Sequence, residues 1–144
     1  MEVKIVESER DVERICATLL ELRSEFDRDG LIEQIKSQQA EGYRLAYVES
    51  RGEVLSVAGF VIGTKLGWGK HMYVDDLVTA ERHRSSGAGS RLIEWLKAHA
   101  RELGCEQLHL DSGVQRFAAH RFYLRHGFEI RSHHFSITDL HSKS

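Results

Sequence analysis

Proline is absent from the 144 residues, and only two cysteines, Cys16 and Cys105, are present. With no repeat, low-complexity tract or Pro-rich stretch to mark a linker, a chain of this length is expected to form one domain, residues 1–144. The two cysteines stand in no CxxC or Cys/His spacing. Both are read as reduced thiols of a cytoplasmic protein, and a disulfide scaffold is excluded. Long apolar runs are missing too. The longest, residues 54–63, is interrupted by Ser56 and reaches about half the length of a membrane-spanning helix. The opening MEVKIVESERDVERI has no apolar core of a secretion signal, so neither membrane insertion nor secretion is expected.

An excess of one charge is also lacking. Twenty Lys and Arg against twenty-two Asp and Glu give a net charge of −2, a poor footprint for a domain whose main business is nucleic acid. The balance is uneven along the chain, because residues 82–131 carry nine basic and five acidic side chains. An anionic ligand is therefore expected in the C-terminal third. The 41% hydrophobic share is that of an ordinary globular domain, which at this size buries about 68–70% of the surface its unfolded chain exposes.

Patterning predicts the elements. Residues 4–6 form a short strand. Ser8 with Asp11 three residues on is a helix-capping signal, and Val12, Ile15, Cys16, Leu19 and Leu22 follow on one face. Residues 26–30 read as a connecting loop and residues 31–41 as a second helix ended by Gly42. Strands at residues 43–49 and 53–62 flank the short hairpin connection Ser50-Arg51-Gly52, and after a loop at 63–69 a third strand of the meander covers 70–79. The period then changes: Leu92, Ile93, Leu96, Ala100 and Leu103 make a helical stripe stopped by Gly104. Residues 107–111 form a strand, 117–126 a helix ended by Gly127, and 128–138 one or two closing strands. The predicted class is α+β, with a mixed, largely antiparallel sheet and helices on both faces.

Chemistry concentrates between these elements. The stretch Arg84-Ser85-Ser86-Gly87-Ala88-Gly89-Ser90 carries a strand into the start of a helix. Glycines without Cβ atoms let backbone N–H groups approach a phosphate closely, and the positive end of the helix dipole favours negative charge. The spacing matches neither GxxxxGK[ST] nor GxGxxG with an acid about 20 residues on. Of the nine histidines, His133 and His134 are adjacent on a presumed strand and so point oppositely, while His71, His109, His120 and His126 have no HxxxH spacing, so no metal is expected.

Together, LVTAERHRSSGAGSRLIEWL and, further on, AAHRFYLRHGFE resemble the GNAT N-acetyltransferase superfamily, whose R/QxxGxG/A loop binds the pyrophosphate of acetyl-CoA. The nearest likeness is to small-amine enzymes such as the aminoalkylphosphonate N-acetyltransferases. The resemblance implies that Arg84, Gly87 and Gly89 hold the motif positions, that the N–H groups of Ser85, Ser86, Gly87, Ala88, Gly89 and Ser90 face the phosphates, and that Leu77 and Val78 pair with the pantetheine arm between two splayed parallel strands. Three departures from the family pattern stand out. Glu81 occupies the place of a common Pro, Ser85 that of the usual Gly, and Arg116 that of an Asn contacting pantetheine.

The resemblance also makes Tyr123 the general acid for the departing thiolate. The chemistry is compatible, since an ordinary Tyr has pKa about 10 and a thiol about 8.5. An attacking amine must first lose a proton, and the resemblance assigns that to an acid on the strand at Asp75 or Asp76. Alternation points these two to opposite faces unless a bulge re-aims one. The expected activity is acetyl transfer from acetyl-CoA to a primary amine of a small molecule. A protein Lys or N-terminal acetyltransferase and a non-catalytic acyl-CoA-binding domain are the alternatives. A homodimer, with residues 133–137 pairing across it, is expected by analogy with the superfamily.

Overall fold

A computed structural model describes residues 1–142. It contains a five-stranded sheet, four α-helices and one 3-10 turn: β1 (Glu2–Ile5), α1 (Glu9–Leu22), α2 (Arg28–Ala40), β2 (Arg44–Ser50), β3 (Glu53–Lys65), β4 (Gly69–Thr79), the turn Glu81–His83, α3 (Ala88–Glu102), β5 (Gln107–Leu110) and α4 (Phe117–Arg125). The class is α+β, as the patterning predicts. The chain divides into two compact units, Met1–Leu110 and Asp111–Ser144.

In the first unit the strands lie in the order β1-β2-β3-β4-β5. The first four pair antiparallel and β4 pairs parallel with β5. Leu45, Tyr47 and Val57 pack with Val12, Ile15, Cys16 and Leu19 of α1 and with Leu31 and Ile35 of α2. Alternation sends the intervening Ala46, Val48, Ala58 and Phe60 to the opposite face. There the Phe60 ring meets Trp95 and His99 of α3, with centroids 6.5 and 6.0 Å away. Helices thus cover both faces. Each fully buried aliphatic side chain is worth about 1.5–3 kcal/mol, so truncating a residue such as Ile15, which has no exposed surface, removes a large share of a small domain's stability.

Local chemistry sets the boundaries. Ser8 Oγ accepts the Asp11 N–H at 3.2 Å, and Asp11 Oδ2 accepts the Glu7 N–H at 2.9 Å, which fixes the start of α1 reciprocally. The predicted loop at 26–30 is shorter than expected because Asp27 caps α2 by accepting the Gly30 N–H at 2.7 Å. Gly30 supplies a donor in the first turn and does not break the helix. The loop at 63–69 shrinks as well, since β3 continues to Lys65 and β4 begins at Gly69.

In the second unit, α4 ends before Gly127 as expected, with the Phe128 N–H bonded to the Tyr123 carbonyl at 3.1 Å. The closing strands predicted over 128–138 are not formed. None of these residues joins a ladder among the described residues, and Ile130, Phe135 and Ile137 are exposed. Strand propensity describes a side chain that suits a pleated, half-buried surface, and without a paired neighbour it does not make a strand.

Candidate active site

The register of β3 against β4 is interrupted once. Gly59 stands opposite Asp76 and Phe60 opposite Val74, so Asp75 has no partner residue on β3 and forms a β-bulge. Beyond it the pairing differs on the two sides of β4. The parallel ladder with β5 runs from His71–Gln107 to Val74–Leu110 and stops, whereas the antiparallel ladder with β3 continues to Thr79. From Asp75 onward no described strand lies along the outer edge of β4.

Hydrogen-bond alternation then fixes where the backbone points. The Ala80 N–H bonds the Leu55 carbonyl at 2.8 Å, so two residues earlier Val78 turns its backbone groups to β3. The Val78 carbonyl accordingly accepts the Ser56 hydroxyl at 2.9 Å. Leu77, one residue out of phase, turns its N–H and carbonyl to the open edge. The two strand residues expected to meet the pantetheine arm therefore differ: Leu77 offers its backbone to that edge and Val78 does not.

The bulge separates the two candidate carboxylates. Asp75 is exposed and Asp76 is largely enclosed. Oδ1 of Asp76 lies 2.8 Å from both Nε and Nη2 of Arg23, and Oδ2 accepts the Tyr43 hydroxyl at 2.5 Å. Arg23 Nη2 also donates to the Asp75 carbonyl at 3.1 Å. Burial, and then the neighbouring Asp76 charge, push the Tyr43 hydroxyl far above the ordinary phenol range, so it remains a donor. A small cavity of about 60 Å³ sits here, lined by Leu19, Phe26, Leu31 and Ile35 together with the polar Arg23, Tyr43 and Asp76.

After β4 the chain passes through the 3-10 turn into residues 84–90. Ser85 adopts φ 67° and Gly87 φ 90°. At Gly87 the restriction is conformational and not spatial, because an added Cβ would approach only the Met1 methyl, at 3.8 Å. Gly87 is the N-cap of α3 and has no side chain to cap it, and the first turn has no acidic residue. The first-turn N–H groups of any helix have no acceptor within it, and here the Ala88 N–H reaches only the Ser86 hydroxyl, at 3.3 Å. Arg84, Ser85, Ser86 and Gly87 are exposed, while Gly89 and Ser90 are half-buried and Ala88 is buried. No acidic residue in this first turn opposes an anion, and the residues present fit a pyrophosphate.

Two expected site residues belong to the second unit. Arg116 is exposed at the N-cap of α4. Tyr123 is buried in that helix, its ring edge-on to Phe122 at 5.5 Å and to Phe128 at 5.7 Å. Burial raises its pKa above the ordinary phenol value, opposed by the Arg116 charge. Among the described residues no group of three or more His, Cys, Asp or Glu is placed to hold a metal ion, and no helix is long and apolar enough to cross a membrane. Sequence reasoning missed Arg23, Tyr43 and Gly59, since no local spacing links them to Asp76.

A model of the acetyltransferase (GNAT) family matches residues 9–128, and the chain belongs to that family. It is 33% identical over 117 residues to the uncharacterized N-acetyltransferase YhdJ of Bacillus subtilis, covering 80% of this chain and 82% of that one. It is 31% identical over 134 residues to the aminoalkylphosphonate N-acetyltransferase of Salmonella typhimurium, covering 89% and 84% of the two chains. The fold is shared with the ribosomal-protein-alanine N-acetyltransferase of Brucella melitensis at a TM-score of 0.83 and 16% identity, over 96% of this chain and 100% of that one. The protein is an acyltransferase of a family whose acetyl donor is acetyl-CoA.

Proposed function

We propose that the protein moves an acetyl group from acetyl-CoA to the primary amine of a small molecule. The observation that carries this reading is the junction within the first unit, where a half-paired, bulged β4 leads through the 3-10 turn and residues 84–87 into a helix with a glycine N-cap and no acid in its first turn. Arg84 and the N–H groups of residues 85–90 hold the pyrophosphate. The outward-turned backbone of Leu77 pairs with the pantetheine arm, and Val78 supports it from the β3 side. By the family resemblance, Arg116 of the second unit is a further cofactor-binding residue.

Asp75 or Asp76 takes the proton from the attacking ammonium, leaving a lone pair for the thioester carbonyl. The Leu77 N–H stabilises the negative charge that develops on the carbonyl oxygen. Tyr123 gives its proton to the departing thiolate. The likeness to an aminoalkylphosphonate N-acetyltransferase supports a small amine as acceptor over a protein.

Tyr123→Phe tests the mechanism. The expected result is a fall in kcat of about 10²–10⁴, the usual scale for a lost general acid, with acetyl-CoA affinity nearly intact. Unchanged turnover removes Tyr123 from the reaction. Thiol release from acetyl-CoA with a panel of primary amines, set against peptides with free N-termini and lysines, decides the acceptor class. No thiol release with either kind of acceptor would leave a binding domain that does not turn over.

A further inference from the structure

We propose that a cavity at the C-terminal end of α3 is a second ligand site, which takes a small organic carboxylate with an apolar body. Its volume is about 360 Å³, within the range of sites that enclose small molecules. Every residue that lines it belongs to the first unit. Phe60 lines the cavity and turns to α3, on the sheet face opposite the one where Arg23 and Tyr43 hold Asp76. His99, which also lines it, follows Ala88 by eleven residues of α3, about 16 Å along the helix axis. The cavity is therefore separate both from the two candidate carboxylates and from the loop at residues 84–90, and it does not depend on the transferase reading.

The lining sets the chemistry. Arg44 and Phe60 are register partners on β2 and β3, so their side chains stand side by side on one face. Phe60 is the floor, and His99 meets its ring edge-on with centroids 6.0 Å apart. Trp95 stacks on His99 at 4.5 Å and fixes the imidazole, whose Nδ1 lies 3.9 Å from Glu102 Oε2, beyond hydrogen-bond distance. Ile5, at the end of β1, is an apolar wall and remains 40% exposed. Among the described residues Arg44 makes no ion pair and no side-chain hydrogen bond, and no side chain lining the cavity is acidic. An unpaired guanidinium offers two parallel N–H donors, the geometry a carboxylate accepts. His99 and the Gln39 amide add donors, while Phe60 and Ile5 suit an apolar body. The helix carbonyls that would oppose an anion are already engaged. Those of His99, Ala100 and Arg101 accept the N–H groups of Leu103, Cys105 and Gly104 at 3.0, 2.9 and 3.0 Å.

The test titrates the full chain with hydrocinnamate, a phenyl ring on a short carboxylate chain, by calorimetry and by amide NMR, with and without saturating acetyl-CoA. Saturable binding is expected with a Kd of about 1 mM or tighter. The largest shifts should fall at Ile5, Arg44, Phe60 and His99, and residues 84–90 should stay in place. Hydrocinnamamide, which keeps the ring and loses the charge, and acetate, which keeps the charge and loses the ring, should each bind at least about 10-fold more weakly. Arg44→Gln should weaken hydrocinnamate about 10- to 100-fold, the scale of one charge-assisted pair. Its Tm should match the wild type, since the substitution breaks no contact of the free protein.

Titration without saturation overturns the second site. So does an amide that binds as well as the acid, or an Arg44→Gln variant that binds as well as the wild type. Displacement of hydrocinnamate by acetyl-CoA, with shifts at residues 84–90, overturns it too, because the anion then occupies the loop at the start of α3. A wild type that turns over no amine contradicts the transferase reading alone and leaves this titration to decide the cavity.

Discussion

The N-termini of α1 and α2 and the N-terminus of α3 are built in opposite ways. Ser8 and Asp27 each place a side-chain oxygen on a first-turn N–H, with acidic residues behind them: Glu9 and Asp11 in α1, Asp29 in α2. The α3 helix has a left-handed glycine as its N-cap, no side-chain hydrogen bond there and no acid in its first turn. The first arrangement satisfies orphan donors and neutralises the positive end of the dipole. The second leaves both available to an anion. Within the first unit, capping chemistry thus sets the starts of α1 and α2 apart from that of α3, the one proposed to receive a ligand.

Four substitutions break or sharpen this contrast. The largest effect is expected from Gly87→Val, which forces a β-branched residue into the left-handed region at about 1–2 kcal/mol and redirects the N–H groups that follow. Calorimetry should show acetyl-CoA affinity reduced about 10- to 100-fold, the scale of one or two lost charge-assisted hydrogen bonds. Next is Ser90→Asp, which gives α3 the acidic first turn that α1 has. Affinity should fall about 10-fold while stability holds or rises by a few tenths to 1 kcal/mol. Opposite signs for binding and stability are the signature of a helix start kept open for an anion.

Ser8→Ala is the matched control. Denaturant unfolding should show a loss of about 1 kcal/mol with acetyl-CoA affinity unchanged. The smallest effect is expected at Ser85, a non-glycine residue at φ 67°. Ser85→Gly removes that strain, and after the entropy a glycine adds to the unfolded chain the net gain is about 0.5 kcal/mol, seen as a small rise in Tm.

What the sequence made legible follows from the range of the interactions. The α1 cap, the α3 stripe and the β2–β3 hairpin are encoded within a few residues, so Ser8, the leucines from 92 and the Arg51-Gly52 turn announced them. Gly30 misled because a glycine in a first turn and a glycine that breaks a helix look alike until Asp27 is seen to bond it. The segment 128–138 misled for the opposite reason, since its strand-like composition finds no ladder. Around β4 the Asp75-Asp76 pair was visible, and the bulge that interrupts the ladder there was not. Arg23 and Tyr43, which bond Asp76, and Gly59, which stands opposite it, lie 53, 33 and 17 positions from Asp76 along the chain.

The most direct test of the open helix start is a thermal-shift titration of the wild-type chain with acetyl-CoA, with adenosine nucleotides and NAD as controls. At 100 times its Kd a ligand adds about 2.7 kcal/mol, roughly 5–10 °C in Tm for a chain of this size. Stabilisation by acetyl-CoA, not matched by NAD, is the predicted result. No shift, or an equal shift with NAD, would mean that the loop at residues 84–90 is only a helix entry, contradicting the account at its centre.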